Sequence, residues 1–246
     1  MAVYPINRRI ATRYEAIADV YPQTATMQQD IALHLATMLS ERCHDAECIL
    51  DVGAGPGFAG LKLRDYYPTA DLVWCDLAKH NITQAADYLP LQADFAKLPI
   101  DNNRIDAVFA SMALHWSQSL ATTLLEWQRV LKPGGWLAIA IPLEGSLNEF
   151  KIAGLNINTF PNATQLADKL TNATITIQTH QQTGKSLSDL ITCFKATGGN
   201  TCVKPTQRGL RGKTFWLNAQ KNFPRSEATP YYRLTYRIGY ILWQKH

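Results

Sequence analysis

Five short apolar runs recur along the first part of this 246-residue chain: "CILDV" from Cys48, "ADLVWCD" from Ala70, "YLPLQAD" from Tyr88, "IDAVFAS" from Ile105 and "GWLAIAIP" from Gly135. Segments of helical length lie between them. Strands spaced in this way build βαβ units. The expected fold is therefore α/β and Rossmann-like, a mostly parallel sheet with helices on both faces. Ahead of the first run, residues 8–20 and 24–42 carry apolar residues at helical spacing, with Pro22 breaking the pattern between them. In "RVLKPGG", residues 129–135, Pro133 is expected to halt a helix and Gly134 and Gly135 to turn the chain into the fifth strand.

Beyond Pro142 the rhythm changes. Helical pieces are expected near 146–155, 163–171 and 187–196, and an alternating strand at 173–180. A Gly-, Pro- and Lys/Arg-rich stretch runs from Gly198 to Pro230. The closing "YRLTYRIGYILWQ", residues 232–244, reads as a final antiparallel strand at the far side of the sheet. One domain is expected: N-terminal helices at 1–44, a core at 45–142, an insertion and lid at 143–230, and the final strand at 231–246.

No apolar run approaches the roughly 20 residues of a membrane span, and "MAVYPINRRIATRYEA" has no apolar stretch behind its arginines. A cytoplasmic protein is the expectation. Cys43, Cys48, Cys75, Cys193 and Cys202 form no C-x-x-C pair, which argues against a disulfide framework or a zinc site. No metal is expected. Charge is divided unevenly. Residues 1–150 carry 11 Lys and Arg against 17 Asp and Glu, whereas residues 151–246 carry 13 against 3. A basic C-terminal part suits an acidic partner, either nucleic acid or protein.

The loop after the first run reads "DVGAGPG", residues 51–57. In an open α/β sheet, ligands bind where strands end, and glycines there let backbone approach the ligand. The spacing here is G-x-G-x-G, not the G-x-G-x-x-G of dinucleotide sites. Asp76 ends the second run, where a carboxylate can accept both hydroxyl hydrogens of a ribose. Asp94 follows the third, placed to accept a hydrogen bond from an adenine amino group.

Asp51, Gly53, Gly55, Gly57, Asp76, Asp94 and "RVLKPGG" together resemble a class I S-adenosylmethionine-dependent methyltransferase, closely over about residues 45–142. The resemblance implies S-adenosylmethionine as methyl donor, held by Asp51, Gly53, Ala54, Gly55, Gly57, Asp76, Leu77, Asp94, Phe95 and Ser111. Residues 111–150, "SMALHWSQSLATTLLEWQRVLKPGGWLAIAIPLEGSLNEF", are more specific. With "IATRYEAIADVYPQTATMQQDIALHL", "LITCFKATGGNT" and "YRLTYRIGYILW", they resemble the malonyl-acyl-carrier-protein O-methyltransferases of biotin synthesis. Two positions depart from that family: "DLAKHNI" from Asp76 replaces D-x-S-x-x-M-L, and His115 stands where Gln is common.

That resemblance implies methylation of the free carboxylate of a malonyl group, carried on acyl carrier protein or coenzyme A. Tyr14 and His115 are the candidate catalytic residues, with Arg13, Trp116 and Lys151 as candidate substrate contacts. Lys204, Arg208, Arg211, Lys213, Lys221 and Arg225 are candidates for meeting an acidic carrier protein. A carboxylate is ionised at neutral pH and needs no general base. Ser146 and Glu149, spaced S-x-x-E, read as a capping box that starts a lid helix. The competing readings are a class I methyltransferase acting on RNA or another small acid, and a methyltransferase-like binding subunit without turnover.

Overall fold

The computed structural model describes residues 5–79, 88–198, 212–225 and 230–246. Among them, α1 (Pro5–Ile17), α2 (Tyr21–Thr24) and α3 (Thr26–Ser40) precede β1 (Cys48–Val52). There follow α4 (Gly60–Tyr66), β2 (Asp71–Asp76), β3 (Leu89–Gln92), β4 (Ile105–Ser111), a 3-10 turn at Leu114–Trp116, α5 (Leu120–Val130) and β5 (Leu131–Pro142). The rest comprises α6 (Asn148–Ile152), α7 (Ala163–Ala167), β6 (Thr174–Gly184), α8 (Leu187–Ala196), α9 (Lys213–Asn222) and β7 (Tyr232–Gln244).

Seven strands form one sheet in the order β3-β2-β1-β4-β5-β7-β6. β1 to β5 pair in parallel, and β7 runs antiparallel to both neighbours. This is the α/β sheet expected from the sequence, with two differences in placement. The closing strand does not end the sheet but lies between β5 and β6, and β6, from the expected insertion, forms the edge. β7 is buried along most of its length because apolar residues occupy both of its faces from Ile238 onward.

Alternate residues of a strand face opposite sides of a sheet, so each strand feeds two cores. Ile49, Phe109, Ala138 and Ala140 pack with Ile31, Leu35 and Leu39 of α3 and Leu63 of α4. Leu50, Val108, Leu137 and Ile139 pack on the other side with Leu124 and Trp127 of α5 and with Leu166. α5 begins at Ser119, whose side chain accepts from the Thr122 N–H, and it ends at Val130, three residues before Pro133. Pro133 and Gly134 instead sit inside β5, in a register shift that takes the pairing from Ile105–Leu131 to Ala107–Trp136.

The expected capping box at Ser146 is not formed. Leu147, in a left-handed conformation, occupies the N-cap of α6, and no side chain caps that helix. Ser146 Oγ instead donates to the Arg237 carbonyl (3.1 Å) and accepts from the Arg237 N–H (2.9 Å). Glu149 accepts from Thr235, through the hydroxyl at 2.5 Å and the N–H at 3.3 Å. Both side chains fasten α6 to β7, a satisfaction of strand backbone that outcompetes the local cap. Capping boxes do form at Asn162–Gln165 and Ser186–Asp189. An ordinary N-cap serine exchanges for aspartate at little cost. Ser146→Asp should instead lower stability by roughly 2–3 kcal/mol, because a buried carboxylate cannot donate to Arg237. A denaturant midpoint equal to that of the unsubstituted chain would restore the capping reading.

Candidate functional site

The loop after β1 turns through three left-handed glycines, with φ of 67° at Gly53, 56° at Gly55 and 75° at Gly57. The N–H groups of Gly53 and Ala54 donate to the Cys75 carbonyl at 2.7 and 3.2 Å, which pins the loop to β2. A carboxylate at the end of β2 closes the arrangement: Asp76 accepts from the N–H of Gly55 and from that of Ala78, both at 2.8 Å. The three glycines differ in what surrounds them. A Cβ at Gly53 would meet Ala113 at 2.5 Å, one at Gly57 would overlap the Trp74 ring, and one at Gly55 would meet nothing within 4 Å. Gly55 therefore faces open space.

That space is a cleft beyond the carboxyl ends of β1, β2 and β4, with about 910 Å³ of empty space when its mouth open to solvent is counted. Of the residues singled out from the sequence, Asp51, Gly53, Ala54, Gly55, Asp76, Leu77, Asp94, Phe95 and Ser111 line it, together with Tyr14 and Trp116. Gly57 is not in the wall. Asp94 accepts from the Asn7 side-chain amide (2.7 Å) and the Ala96 N–H (3.0 Å). The buried Ser111 hydroxyl has no hydrogen-bond partner, which leaves a polar atom for a ligand to satisfy. Asp51 is 6% exposed, and burial, reinforced by the nearby negative charge of Asp76, pushes its carboxyl up to about 7.

A second cavity of about 490 Å³ adjoins the first, and Tyr14, Tyr21, Gln28, Met112 and Trp116 line both. Its further walls come from His115, Asn158, Phe160 and Tyr236 among others. Tyr14 packs edge-on against Tyr21 and Trp116, with ring centroids 5.6 and 6.1 Å away. Burial raises the phenol pKa of Tyr14, Tyr21 and Tyr236 well beyond the ordinary range, and it lowers that of the His115 imidazole to about 3. All four side chains are thus neutral at physiological pH. His115 Nδ1 is buried without a partner.

Arg13 and Lys151 lie outside the walls of both cavities. The Arg13 guanidinium donates to the Lys195 carbonyl (2.8 Å), near the last turn of α8, and Lys151 is exposed on α6. Conversely, Asn7, Tyr21, Gln28 and Tyr236 enter the walls without having been singled out from the sequence. For Gln28 the available signal is a polar residue on the buried stripe of α3, in register with Ile31, Ala32 and Leu35. Among the described residues no cluster of His, Cys, Asp and Glu is arranged to hold a metal, and no helix is long and apolar enough to cross a membrane. Cys43, Cys48, Cys75 and Cys193 are free thiols, and Cys202 lies outside the described residues.

Comparison with known proteins agrees with this architecture. Residues 50–139 match the family model described as "Methyltransferase domain". The crystal structure of the YcgJ protein of Bacillus subtilis superposes with a TM-score of 0.61 over 87% of this chain and 98% of that one. At 15% identity, it supports the fold alone. The chain belongs to the class I S-adenosylmethionine-dependent methyltransferases, and S-adenosylmethionine is its co-substrate. Within that class its relatives include a protein of Herminiimonas arsenicoxydans, 30% identical across 96% of this chain and 93% of that protein. Another, from Legionella pneumophila, is 26% identical across 96% of this chain and 89% of that protein. Both bear the name malonyl-[acyl-carrier protein] O-methyltransferase.

Proposed function

We propose that the chain transfers the methyl group of S-adenosylmethionine to the free carboxylate of a malonyl thioester, carried on an acyl carrier protein. The observation that carries this reading is the neutral chamber beside the larger cavity. A hydroxyl acceptor, or an amine that is protonated at neutral pH, must give up a proton to react, and a His115 imidazole held near pKa 3 is too weak a base to take it. A carboxylate arrives ionised and needs only hydrogen-bond donors and the exclusion of water. The phenol of Tyr21, in the chamber wall, is a donor of that kind. The hydroxyls of Tyr14 and Tyr236 donate to the Thr197 carbonyl and to Gln182, both at 3.4 Å, and would have to turn from them to meet the acceptor. The names and near-full-length coverage of the relatives point the same way.

The larger cavity suits the co-substrate chemically. Among the residues lining it, Asp76 would take the ribose hydroxyls, Asp94 the adenine amino group, Leu77 and Phe95 the adenine ring, and the Gly53–Gly55 loop the amino-acid end. Asp51 and the Ser111 hydroxyl would meet the cationic end. S-adenosylmethionine supplies an electrophilic methyl on a sulfonium. The new O–C bond forms as the S–C bond breaks, with its electron pair left on sulfur, so opposite charges cancel along the reaction. Tyr14 and Trp116, in the walls of both cavities, would hold the acceptor in line with that methyl and keep water out. Arg13 and Lys151 would then act indirectly, by holding α8 and by contributing charge on the surface of α6.

For the carrier protein we favour the basic surface that includes Lys213, Lys221 and Arg225. α9 also exposes Leu217 (56%), an apolar contact beside two lysines. Lys204, Arg208 and Arg211, expected to share this role, lie outside the described residues.

The test is to offer methyl-labelled S-adenosylmethionine with malonyl carrier protein, malonyl-coenzyme A and bulk RNA. Label is expected on the malonyl acceptors as a base-labile ester. Label in RNA alone would overturn the acceptor assignment, and label nowhere would favour a binding subunit. Asp76→Ala should weaken co-substrate binding by about tenfold or more, a loss of at least ~1.4 kcal/mol. Unchanged affinity in calorimetry would move the ribose site elsewhere.

A further inference from the structure

A third pocket, an open groove with about 770 Å³ of empty space when its open mouth is counted, adjoins the acceptor chamber and shares only His115 and Phe160 with it. We propose that it receives the extended, amide-bearing arm, of the phosphopantetheine type, that carries the malonyl group, and that the arm reaches the chamber between His115 and Phe160. The inference rests on the malonyl-thioester reading and adds a path to it.

The thioester sulfur lies three carbons from the reacting carboxylate carbon's oxygen-bearing end, so an arm attached there must leave the chamber. One side is shared with the co-substrate cavity, where bound S-adenosylmethionine would stand in the way. The boundary shared with the third pocket is formed by His115 and Phe160. The His115 and Phe160 rings meet edge to face, with centroids 6.1 Å apart. Phe160 belongs to the irregular segment between α6 and α7, where a ring can swing aside without breaking a helix or strand.

The third cavity has the chemistry such an arm requires. Leu120 and Pro161 offer apolar wall for methylenes, Ser117, Thr159 and Gln165 offer hydrogen-bonding groups for amides, and the carboxylate of Asp168 shares the wall with Lys169. Lys169, exposed at this cavity, is placed to meet the terminal phosphate. His115 Nδ1, buried and unpartnered at the partition, is available to an amide or thioester oxygen as the arm passes.

The experiment compares acceptors with long and short arms, using malonyl-coenzyme A and malonyl-N-acetylcysteamine, on the full chain. Thr159→Trp fills the third cavity from an exposed position. It should lower the ratio of kcat/KM for the long acceptor over the short one by about tenfold or more, through KM. Lys169→Glu should lower the same ratio, since only the long acceptor carries a phosphate. General damage to the fold slows both acceptors together and leaves the ratio in place. A ratio unchanged in both variants would overturn the route, although the malonyl reading would stand. Failure of the unsubstituted chain to methylate either thioester would overturn that reading and the route with it.

Discussion

Gly57→Ala should yield a chain that hardly folds. The new Cβ would lie 1.2 Å from Cζ2 of Trp74 and 1.9 Å from Cη2, distances at which one group must move. Trp74 has nowhere to go: it is 5% exposed on β2, and its ring stacks on Tyr88 with centroids 4.6 Å apart. Overpacking of this severity costs about 3 kcal/mol or more, and the left-handed φ adds roughly 1–2 kcal/mol for any residue with a Cβ. Together they consume much of the roughly 5–15 kcal/mol that stabilises a domain. Gly55→Ala is the informative contrast. It bears the same φ strain but meets no atom within 4 Å, so its fold should survive while its methyl projects towards the co-substrate. Thermal melting and S-adenosylmethionine titration of both variants separate the two effects. Near-normal melting of Gly57→Ala would mean that Trp74 can vacate its place.

Asp51→Asn should stabilise the ligand-free protein above neutral pH while weakening co-substrate binding. In the folded chain the carboxyl titrates at about 7, against roughly 3.9 for an unfolded aspartate. The folded state therefore holds a proton that the unfolded state releases between those values. The stability associated with that proton is complete below about pH 4, falls as pH rises, and is gone above about pH 7. The difference corresponds to about 4 kcal/mol as an order of magnitude. Asparagine, which has no charge to desolvate, should recover a substantial part of it at about pH 8 and almost none at about pH 4. Binding of a cationic ligand favours the ionised form. Affinity for S-adenosylmethionine in the unsubstituted chain should thus weaken as pH falls from about 7.5 to 6, and that slope should vanish in the variant. An Asp51→Asn protein that melts below the parent at about pH 8 would contradict the account.

Features that depend on neighbours in sequence were legible before the fold was known. The apolar runs located β1, β2, β4 and β5 because a strand covered on both faces must be largely apolar, and they located β3 as well, although that edge strand is mostly exposed. Alternation in "ATITIQTH" located β6, which has one exposed face. Asp76 and Asp94 could be chosen because they end such runs, and both line the cavity. What failed to show was set by partners far along the chain. Ser146 and Glu149 match a helix cap locally, yet their partners are Arg237 and Thr235, which strand pairing brings into reach. The three glycines look equivalent in "DVGAGPG", but Trp74 alone decides that Gly57 serves packing while Gly55 faces the ligand space. Arg13 had the charge to hold a carboxylate, but a carbonyl near the last turn of α8 takes its guanidinium.

The position of β7 bears on how the chain is made. It is the last of the seven strands to leave the ribosome, yet it slots between two strands synthesised before it. Until it arrives, β5 and β6 each present an unpaired edge, and the nascent sheet has no continuous surface on that side. Open edges of this kind invite pairing with other chains. β6 cannot join the sheet until β7 has been made, so this cooperative unit forms only after the other six strands have been synthesised. Early release of a chain lacking β7 would leave an aggregation-prone product even though every residue of the glycine loop had already been made.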